Sequence, residues 1–352
     1  MENKELKNVE AANDDLQSYM KEVIAALKRE KKYAAAHNYL SVLHSFMWFD
    51  ASMPQKGTPV PCGDTIIPMR DIFTAERLKE YERWLNLQAY SPNTISTYMH
   101  TLQAVYNRWM PPGRTGHNPV LFADIYTKVE SRTKRALSAS QMEKLMNTDF
   151  KALPAFQQRA LAYFLLMFML RGMPFIDLAH LRKSNLQHGR LVYLRHKTGK
   201  LMMVDIPPEA FPLLQKFRDK TDSDFLFPIM NEQSAGEEGL NDDELLYNRY
   251  QNALRHYNRM LAKLMRRLLP GVPVSSYTAR HTWATLAYHE GVPVGIISQA
   301  LGHSSIRVTM TYLKPFDSEV MDKVNRQIIS LVRKGKKKKL DRHKTLYNMM
   351  VW

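Results

Sequence analysis

Residues 275–313 read SSYTARHTWATLAYHEGVPVGIISQALGHSSIRVTMTYL, and this stretch decides the fold of the second half of the chain. Ser276 is a good N-cap and Gly291 a good C-terminal stop, which predicts one helix between them. A second helix is expected over Pro293–Leu301, and Ser304 can cap a third. Polar residues at the ends of three successive short elements are typical of a convergent site.

The polar residues at these helix ends match a family pattern. Tyr277 and Arg280 lie in the first helix, His303 follows Leu301 and a glycine, and Tyr312 ends the third element. At these residues the chain resembles the tyrosine recombinase (phage integrase) family. The family has His-x-x-Arg, then Leu-Gly-His some twenty residues later, then a nucleophilic tyrosine nine residues further on. The chain departs from the pattern at Tyr277, which stands where the first histidine is usual.

The resemblance implies roles for these side chains in cutting a phosphodiester. Tyr312 is the expected nucleophile and forms a 3′-phosphotyrosyl bond. Arg280 is always protonated and can contact two phosphate oxygens. His303 would hydrogen-bond a non-bridging oxygen or hold a neighbouring residue in place, and Tyr277 would hydrogen-bond the phosphate or the nucleophile. Since the sequence shows neither a metal-ligand cluster nor a Gly-rich phosphate loop, no metal and no cofactor are expected.

A β-hairpin is predicted around the segment HKTGK. Residues 189–195 and 201–206 have strand character, and Thr198-Gly199 suits the turn between them. Lys197 and Lys200 lie at the tip. Lys197 matches the family's catalytic lysine, which implies that it protonates the leaving 5′-oxygen, and Lys200 is a candidate DNA contact. Hairpin lysines are also often simply solvated.

The family's first catalytic arginine has no direct counterpart in this sequence. It normally precedes Glu/Asp-Leu at the end of a long apolar helix, and alignment on Asp177 places Pro174 at its position. Arg171 lies three residues earlier, nearly one helical turn. Gly172 with Pro174 predicts a helix break there. Arg171 is therefore the candidate for the missing arginine, and a purely structural role at the helix end is the alternative.

The first hundred residues predict a compact helical domain. Apolar residues recur at intervals of three and four in four segments. Thr74 can cap the third segment, and Ser91-Pro92 is a clear start for the last one. SPNTISTYMHTLQAVYNRW is similar to the last helix of the family's DNA-clamping domain. Its apolar stripe is expected to be core. The polar residues proposed to contact DNA, unless they are only solvated, are Arg83, Asn93, Thr94 and Thr97.

The predicted fold is mainly α with a small antiparallel β-hairpin or sheet. An N-terminal four-helix core-binding (SAM-like) domain over residues 15–112 precedes a C-terminal integrase-type catalytic domain over 137–330. A linker over 113–136 starts at a PPGRTG segment and ends in a basic stretch. Its candidate DNA contacts are Arg132, Lys134 and Arg135. Residues 1–14 are expected to form a flexible tail and residues 331–352 a basic tail.

Composition supports a nucleic-acid partner. The 352 residues include 50 Lys and Arg against 34 Asp and Glu, a formal net charge of +16, which favours polyanions. Cys62 is the single cysteine, so an intrachain disulfide is excluded and a reducing compartment is expected.

The longest apolar run, Ala160–Leu170, is too short to cross a membrane. A cytoplasmic, nucleoid-associated protein is expected.

These observations favour a site-specific DNA recombinase of the integrase type. The resemblance implies a homo-tetramer on double-stranded DNA, in which the helix after the nucleophile docks on a neighbouring protomer. The alternatives are a type IB topoisomerase-like relaxing enzyme, a DNA-binding protein that keeps the fold without cleavage, and a helix-turn-helix reader built on 281–305. The target sequence and the outcome of recombination are not predictable. The segment 231–244 is acidic and loop-like, and a long basic helix is expected after it over 245–269. Neither the acidic segment nor residues 340–352 have a predicted role.

Overall fold

The chain divides into two units, and the first consists mainly of residues 1–132. In a computed structural model, the described residues are 14–54, 58–61, 66–125, 136–230, 241–313, 318–319 and 321–330. The helices of the first unit are α1 (Leu16–Arg29), α2 (Tyr33–Asp50), α3 (Met69–Ile72), α4 (Ala75–Leu87) and α5 (Pro92–Trp109).

Side-chain caps start the helices of this unit. The Asp15 carboxylate accepts hydrogen bonds from the backbone N–H groups of Ser18 and Ile67, both at 2.8 Å, so it begins α1 and holds the segment before α3. Thr74 caps α4, and Ser91 caps α5 ahead of a proline in the first turn. These contacts satisfy N–H groups that a helix leaves unpaired at its N-terminus. The predicted starts at Thr74 and Ser91 are confirmed.

The apolar stripes predicted from periodicity form one core. Members of the stripes on α1, α2, α4 and α5 are almost fully buried: Leu16, Met20, Val42, Phe46, Leu78, Tyr81, Leu85, Met99, Leu102 and Val105. Burial of these side chains is the main stabilising contribution to a bundle of this size. The predicted four-helix domain is confirmed, with the one-turn helix α3 in addition.

The second unit contains the remaining helices and a small sheet. The helices are α6 (Ala139–Met146), α7 (Ala155–Met169), α8 (Phe175–His180), α9 (Phe211–Phe217), α10 (Asp242–Leu268), α11 (Ser276–His289), α12 (Val294–Ala300) and α13 (Ile306–Met310), with one-turn 3₁₀ segments at Phe150–Ala152 and Lys183–Asn185. Residues 242–249 of α10 group with the first unit. Residues 318–319 and 321–330 are helical as well.

A three-stranded antiparallel sheet holds the predicted hairpin. Its strands are β1 (Leu186–Gln187), β2 (Arg190–Leu194) and β3 (Leu201–Asp205), in the order β1-β2-β3. Leu194 pairs with Leu201 at the end of the β2–β3 ladder, so residues 195–200 form the connection between these strands. α7 is apolar on nearly all sides, buried as predicted, and contacts α11.

Three helix boundaries differ from the sequence predictions. α11 starts at Ser276 because Ser275 occupies the N-cap position, and its N–H donates to the Thr278 hydroxyl at 3.0 Å. Ser305, not Ser304, caps α13 by accepting from the Arg307 N–H. α10 begins at Asp242, within the segment predicted to be an acidic loop. Short polar residues in series offer several possible caps, and local geometry selects among them.

Several predictions fall on residues that are not described. They concern the N-terminal tail, Cys62, the basic linker residues at 132, 134 and 135, most of the acidic 231–244 segment and the basic C-terminal tail. None of the helices within the described ranges is long and apolar enough to span a membrane.

Candidate active site

Tyr312 lies among the other residues predicted for the site. Its ring centroid is 5.0 Å from that of His303, and the guanidinium carbon of Arg280 is 5.5 Å from it. Its hydroxyl donates to the hydroxyl of Tyr277 at 3.4 Å, and the two rings stack with centroids 6.2 Å apart. The structure therefore brings together four of the six predicted catalytic residues, from α11 and from the ends of α12 and α13.

Two residues that sequence analysis missed hold the backbone of Tyr312. The Tyr312 carbonyl oxygen accepts from His281 Nδ1 at 3.3 Å and from the Thr285 hydroxyl at 3.4 Å. Both donors lie on α11, one and two turns after Tyr277, so a single helix contacts the Tyr312 phenol and its main chain. Their spacing from Tyr277 and Arg280 on one helix was the available signal.

Arg280 is buried, with 2 % of its surface exposed, and its guanidinium is held by uncharged acceptors. Nη1 donates to the Gly172 carbonyl at 2.9 Å. Nη2 donates to the Leu301 carbonyl and to Nε2 of His303, the latter at 2.9 Å. Burial and the nearby Arg195 lower the pKa of Arg280, yet an arginine remains protonated in proteins. Its positive charge is thus positioned but not neutralised by these contacts.

His303 is present as one defined tautomer. A guanidinium can only donate, so Nε2 of His303 must accept from Arg280, and the ring proton must lie on Nδ1. Nδ1 is 2.9 Å from the hydroxyl oxygen of Thr309. Burial, with the charge of Arg280 as the next cause, lowers the pKa of His303 to about 3. The imidazole is therefore neutral at physiological pH.

Arg195 is a second buried arginine beside this pair, and sequence analysis missed it. It is 5 % exposed, and its Nη1 donates to the Gly302 carbonyl. Its Nε lies 3.9 Å from a carboxylate oxygen of Asp177. The signal was strand alternation: Leu191, Tyr193 and Arg195 occupy every second position, and the first two are core residues. An arginine on the buried face of a strand indicates a functional or structural charge.

Arg171 contacts the sheet, whereas Arg195 contacts the residue before His303. α7 ends before it, and both Arg171 and Gly172 have left-handed backbone angles, φ 59° and φ 65°. The predicted helix break is confirmed. The Arg171 guanidinium donates to the Met203 carbonyl on β3 at 3.2 Å, and Pro174 is the N-cap residue of α8. The hydrogen bond that fixes Arg171 is thus on the sheet.

Lys197 and Lys200 lie in the exposed connection between β2 and β3, as predicted. Gly199 has φ 64° in this turn, and its N–H donates to the Arg195 carbonyl at 2.8 Å. After burial and the charges of Arg280 and Arg195, the positive charges of both lysines are minor causes of the low pKa of His303. In the part of the chain that the structure describes, no group of three His, Cys, Asp or Glu side chains is arranged to hold a metal ion.

Comparison with known proteins identifies the family. The sequence pattern of the phage integrase family matches residues 135–319, and that of the phage integrase SAM-like domain matches residues 15–125. The chain belongs to the phage integrase family. It is a tyrosine recombinase, and its mainly helical fold with a SAM-like first domain and an integrase-type catalytic domain is as the sequence predicted.

Individual relatives of this integrase-family chain are distant. The tyrosine recombinase XerA of Thermococcus onnurineus is 24 % identical over 278 residues, which is 68 % of this chain and 90 % of the relative. The Tn1549 transposon integrase, solved in complex with transposon right end DNA, is 14 % identical with a TM-score of 0.57, over 89 % of this chain and 99 % of that one. A lambda integrase dimer bound to a COC′ core site has a TM-score of 0.54 at 17 % identity, over 85 % of this chain and 77 % of that one. These two structures share the fold.

The DNA contacts predicted for the first unit of this integrase lie at the start of α5 and on α4. Arg83, Asn93 and Thr97 are exposed, and Thr94 is half-buried. The Thr97 hydroxyl donates to the Asn93 carbonyl at 2.8 Å, one turn earlier. Their role in DNA binding stays a prediction.

We expect Gly302→Ala to destabilise the catalytic unit more than Gly291→Ala. Both glycines have left-handed angles, φ 65° and φ 80°. A Cβ at Gly302 would lie 2.9 Å from Met202 Sδ and 3.0 Å from Arg195 Cδ, whereas nothing lies within 4 Å of one at Gly291. Alanine is strained by the left-handed backbone at both positions. Gly302→Ala should therefore lower the free energy of unfolding by about 1–3 kcal/mol more than Gly291→Ala, and this difference measures the clash with the hairpin. Equal losses in denaturant unfolding would show that this contact relaxes freely.

Proposed function

We propose that Tyr312 is the nucleophile with which this recombinase cleaves DNA. The observation that supports the proposal is the meeting of a phenol, a guanidinium and an imidazole from three separate elements of one chain. Because the tyrosine comes from the same chain as Arg280 and His303, each protomer would cleave with its own nucleophile.

The proposed reaction is an in-line displacement at phosphorus. The Oη atom of Tyr312 bonds to the phosphorus as the bond to the 5′-oxygen breaks, which leaves a 3′-phosphotyrosyl linkage and a free 5′-hydroxyl. Lys197 donates the proton that the 5′-oxygen takes up. The phosphoryl bond is conserved in the protein–DNA linkage, so attack by another 5′-hydroxyl rejoins strands without a nucleotide cofactor.

Arg280 stabilises the charge that builds up on the phosphate oxygens. A guanidinium has five N–H donors, and Arg280 uses three on Gly172, Leu301 and His303. Among the described residues, the N–H of Nε has no hydrogen-bond partner. Donors fixed before substrate binding lower the barrier most, because little reorganisation is left for the reaction itself.

His303 acts by holding Arg280, the second of the two roles that the resemblance implied. Its Nε2 accepts from Arg280, so this nitrogen has no proton to give to a phosphate oxygen. The low pKa excludes an imidazolium that could donate from both nitrogens near pH 7. His303 thus orients the guanidinium.

Tyr277 serves as a hydrogen-bond partner of the nucleophile. Its pKa is raised to about 12 by burial, with Tyr312 as the next cause, so it keeps its proton at neutral pH. Its oxygen accepts from Tyr312, and 42 % of its surface is exposed. The Tyr312 proton can therefore pass to Tyr277 as the Tyr277 proton leaves to water. A protonated phenol at this position replaces the imidazole that is usual in the family.

The second guanidinium of the site is Arg195 rather than Arg171 in this proposal. Arg195 donates to the carbonyl of Gly302, directly before His303, and after burial its charge is the next cause that lowers the pKa of Arg280. Arg171 is fixed on the sheet. In this proposal Arg195, at the end of β2, supplies the charge of the arginine that the family usually has at the position of Pro174.

Double-stranded DNA is the proposed substrate and partner. The formal charge of +16 favours association with a polyanion and makes binding strongly salt-dependent. The related lambda and Tn1549 integrases were solved on DNA. Exposed Lys200 near the site and the exposed face of α5 are the described candidates for phosphate contacts.

Assembly into a tetramer on paired sites is proposed to use the helical residues 321–330. Met321, Val324 and Ile328 are exposed apolar residues at intervals of three and four, so they form one face of this helix. An apolar stripe of this kind on an exposed helix is typical of a docking surface. Docking on a neighbouring protomer would link one active site to the next.

Replacing Tyr312 with Phe is expected to abolish covalent capture of DNA while leaving DNA binding unchanged. Nicked duplexes of randomised sequence serve as suicide substrates, because the cleaved end diffuses away and cannot be rejoined. Adducts that survive denaturation are counted, and sequencing them gives the target site. The matched variant Tyr277→Phe lacks only a hydroxyl and should still form adducts, more slowly. Adducts at wild-type yield with Tyr312→Phe would disprove the assignment.

Conservative lysine variants separate the two candidate arginines. Lysine keeps the positive charge but lacks the planar set of N–H donors of a guanidinium. We therefore expect Arg195→Lys to lower the single-turnover cleavage rate by about 10²-fold. Arg171→Lys should lower it much less. Near-UV circular dichroism checks that both variants remain folded. The reverse order of effects would assign the catalytic charge to Arg171, as the sequence pattern implied.

The proposed docking surface on residues 321–330 is tested by placing a charge on the apolar stripe and, for comparison, outside it. Ile328→Asp should reduce the tetramer fraction on the selected DNA in mass photometry, since a carboxylate on a buried contact surface is costly. Ser330→Asp introduces the same charge about half a turn away and is expected to leave the fraction unchanged. Tetramer loss of equal size in both variants would argue against docking through the stripe.

A further inference from the structure

Thr309 joins the nucleophile segment to the Arg280–His303 pair. It lies on α13, three residues before Tyr312, and its side chain is fully buried. The Thr309 hydroxyl oxygen is 2.9 Å from Nδ1 of His303, and its carbonyl accepts from the Tyr312 N–H at 2.9 Å. One residue therefore contacts both the imidazole and the main chain of the nucleophile.

The direction of the Thr309–His303 hydrogen bond is determined by Arg280. If the hydroxyl donated to Nδ1, the neutral ring would place its proton on Nε2, facing an N–H of Arg280 at 2.9 Å. Two donors would then oppose each other inside the protein, which costs free energy. The compatible arrangement has Nδ1–H donating to the Thr309 hydroxyl and Nε2 accepting from Arg280.

We propose that Thr309 is a positioning residue that makes the orientation of Arg280 depend on the docking of the Tyr312 segment. The proposal rests on the function of Tyr312 proposed above. When α13 is in place, the Thr309 hydroxyl accepts from Nδ1–H and holds the His303 ring in the orientation in which Nε2 accepts from Arg280. When α13 moves away, Nδ1–H loses its buried acceptor, and the ring is free to rotate away from Arg280. The charge-stabilising pair is then complete only while the chain's own nucleophile is present.

The chemistry of the pocket supports this coupling. His303 is almost completely buried, so it has little access to water as a substitute partner for Nδ1. Its pKa of about 3, caused by burial and the charge of Arg280, keeps it neutral and so keeps one nitrogen without a proton. A hydroxyl is small, neutral and able to accept, which fits this position beside two buried arginines better than a charged group would.

Three variants test the coupling by cleavage. Thr309→Val keeps the shape and removes the hydroxyl, Thr309→Ser keeps the hydroxyl, and Thr311→Val removes a nearby exposed hydroxyl that donates to the Val308 carbonyl. Loss of one hydrogen bond of this kind is expected to slow single-turnover cleavage of the selected nicked DNA by about tenfold in Thr309→Val. Thr309→Ser and Thr311→Val should cleave near the wild-type rate, and DNA affinity should be unchanged in all three.

Nitrogen-15 NMR on histidine-labelled full-length protein observes the tautomer itself. His303 is assigned by the signal that disappears in His303→Gln. In the wild type we expect a proton on Nδ1, none on Nε2, and no protonation of the ring down to about pH 5, as a pKa of about 3 requires. In Thr309→Val the Nδ1 proton has no acceptor, so we expect its resonance to move upfield and its exchange with water to be faster than in the wild type and in Thr309→Ser.

The outcomes separate this proposal from the proposed function. If Thr309→Val cleaves at the wild-type rate, or if Thr309→Ser is equally slow, the hydroxyl does not act as described, while Tyr312 remains the nucleophile. An Nδ1 proton in Thr309→Val with the chemical shift and exchange rate of the wild type also overturns the coupling. If wild-type protein forms no adduct with any DNA, the proposed function fails, and the NMR result then decides the Thr309–His303 interaction on its own.

Discussion

The hydrogen bond from Arg280 to Nε2 of His303 is the interaction on which the rest of the site depends. A buried cation is costly unless its donors are satisfied, and here the acceptors are two backbone carbonyls and a neutral imidazole. A carboxylate would satisfy the guanidinium equally well but would cancel its charge. The two carbonyls and the neutral imidazole hold the guanidinium without cancelling its positive charge, which can therefore attract a phosphate.

This arrangement constrains the backbone on both sides of Arg280. The carbonyls of residues 172 and 301 must point at one guanidinium, and each lies at a helix end where a glycine adopts a left-handed angle: Gly172 after α7 and Gly302 after α12. A Cβ at Gly172 would lie 3.1 Å from the Cα of Arg280, which is tighter than ordinary packing. The Leu-Gly-His motif therefore combines a tight turn with a ring that faces the guanidinium.

The sequence predicted the local features well and the distant contacts less well. Helix caps such as Thr74 and Ser91, the apolar stripes and the β2–β3 hairpin follow from neighbouring residues, so periodicity and turn chemistry were sufficient. The one-residue shifts at Ser275 and Ser305 arose because adjacent serines can all cap a helix. The meeting of Arg280, His303 and Tyr312 followed from a family pattern.

The role proposed for Arg195 depends on a contact that no sequence pattern displayed. A hairpin residue reaches Gly302, more than a hundred positions away in the chain, and the pattern directed attention to residues 171 and 174 instead. Strand alternation marked Arg195 as inward-facing, but its partner was defined only by the fold. The contact of Thr309 with His303 is similar, because a threonine inside a short helix gives no signal about which ring it faces.

The central claim is that one phenol, held beside Arg280 and His303, becomes bonded to DNA. The most direct measurement is peptide mapping of the covalent adduct by mass spectrometry, after nuclease digestion to a single nucleotide. The geometry predicts that the added mass lies on Tyr312 alone, with Tyr277 unmodified although its hydroxyl is 3.4 Å away. Modification of Tyr277, or of any residue other than Tyr312, would contradict it.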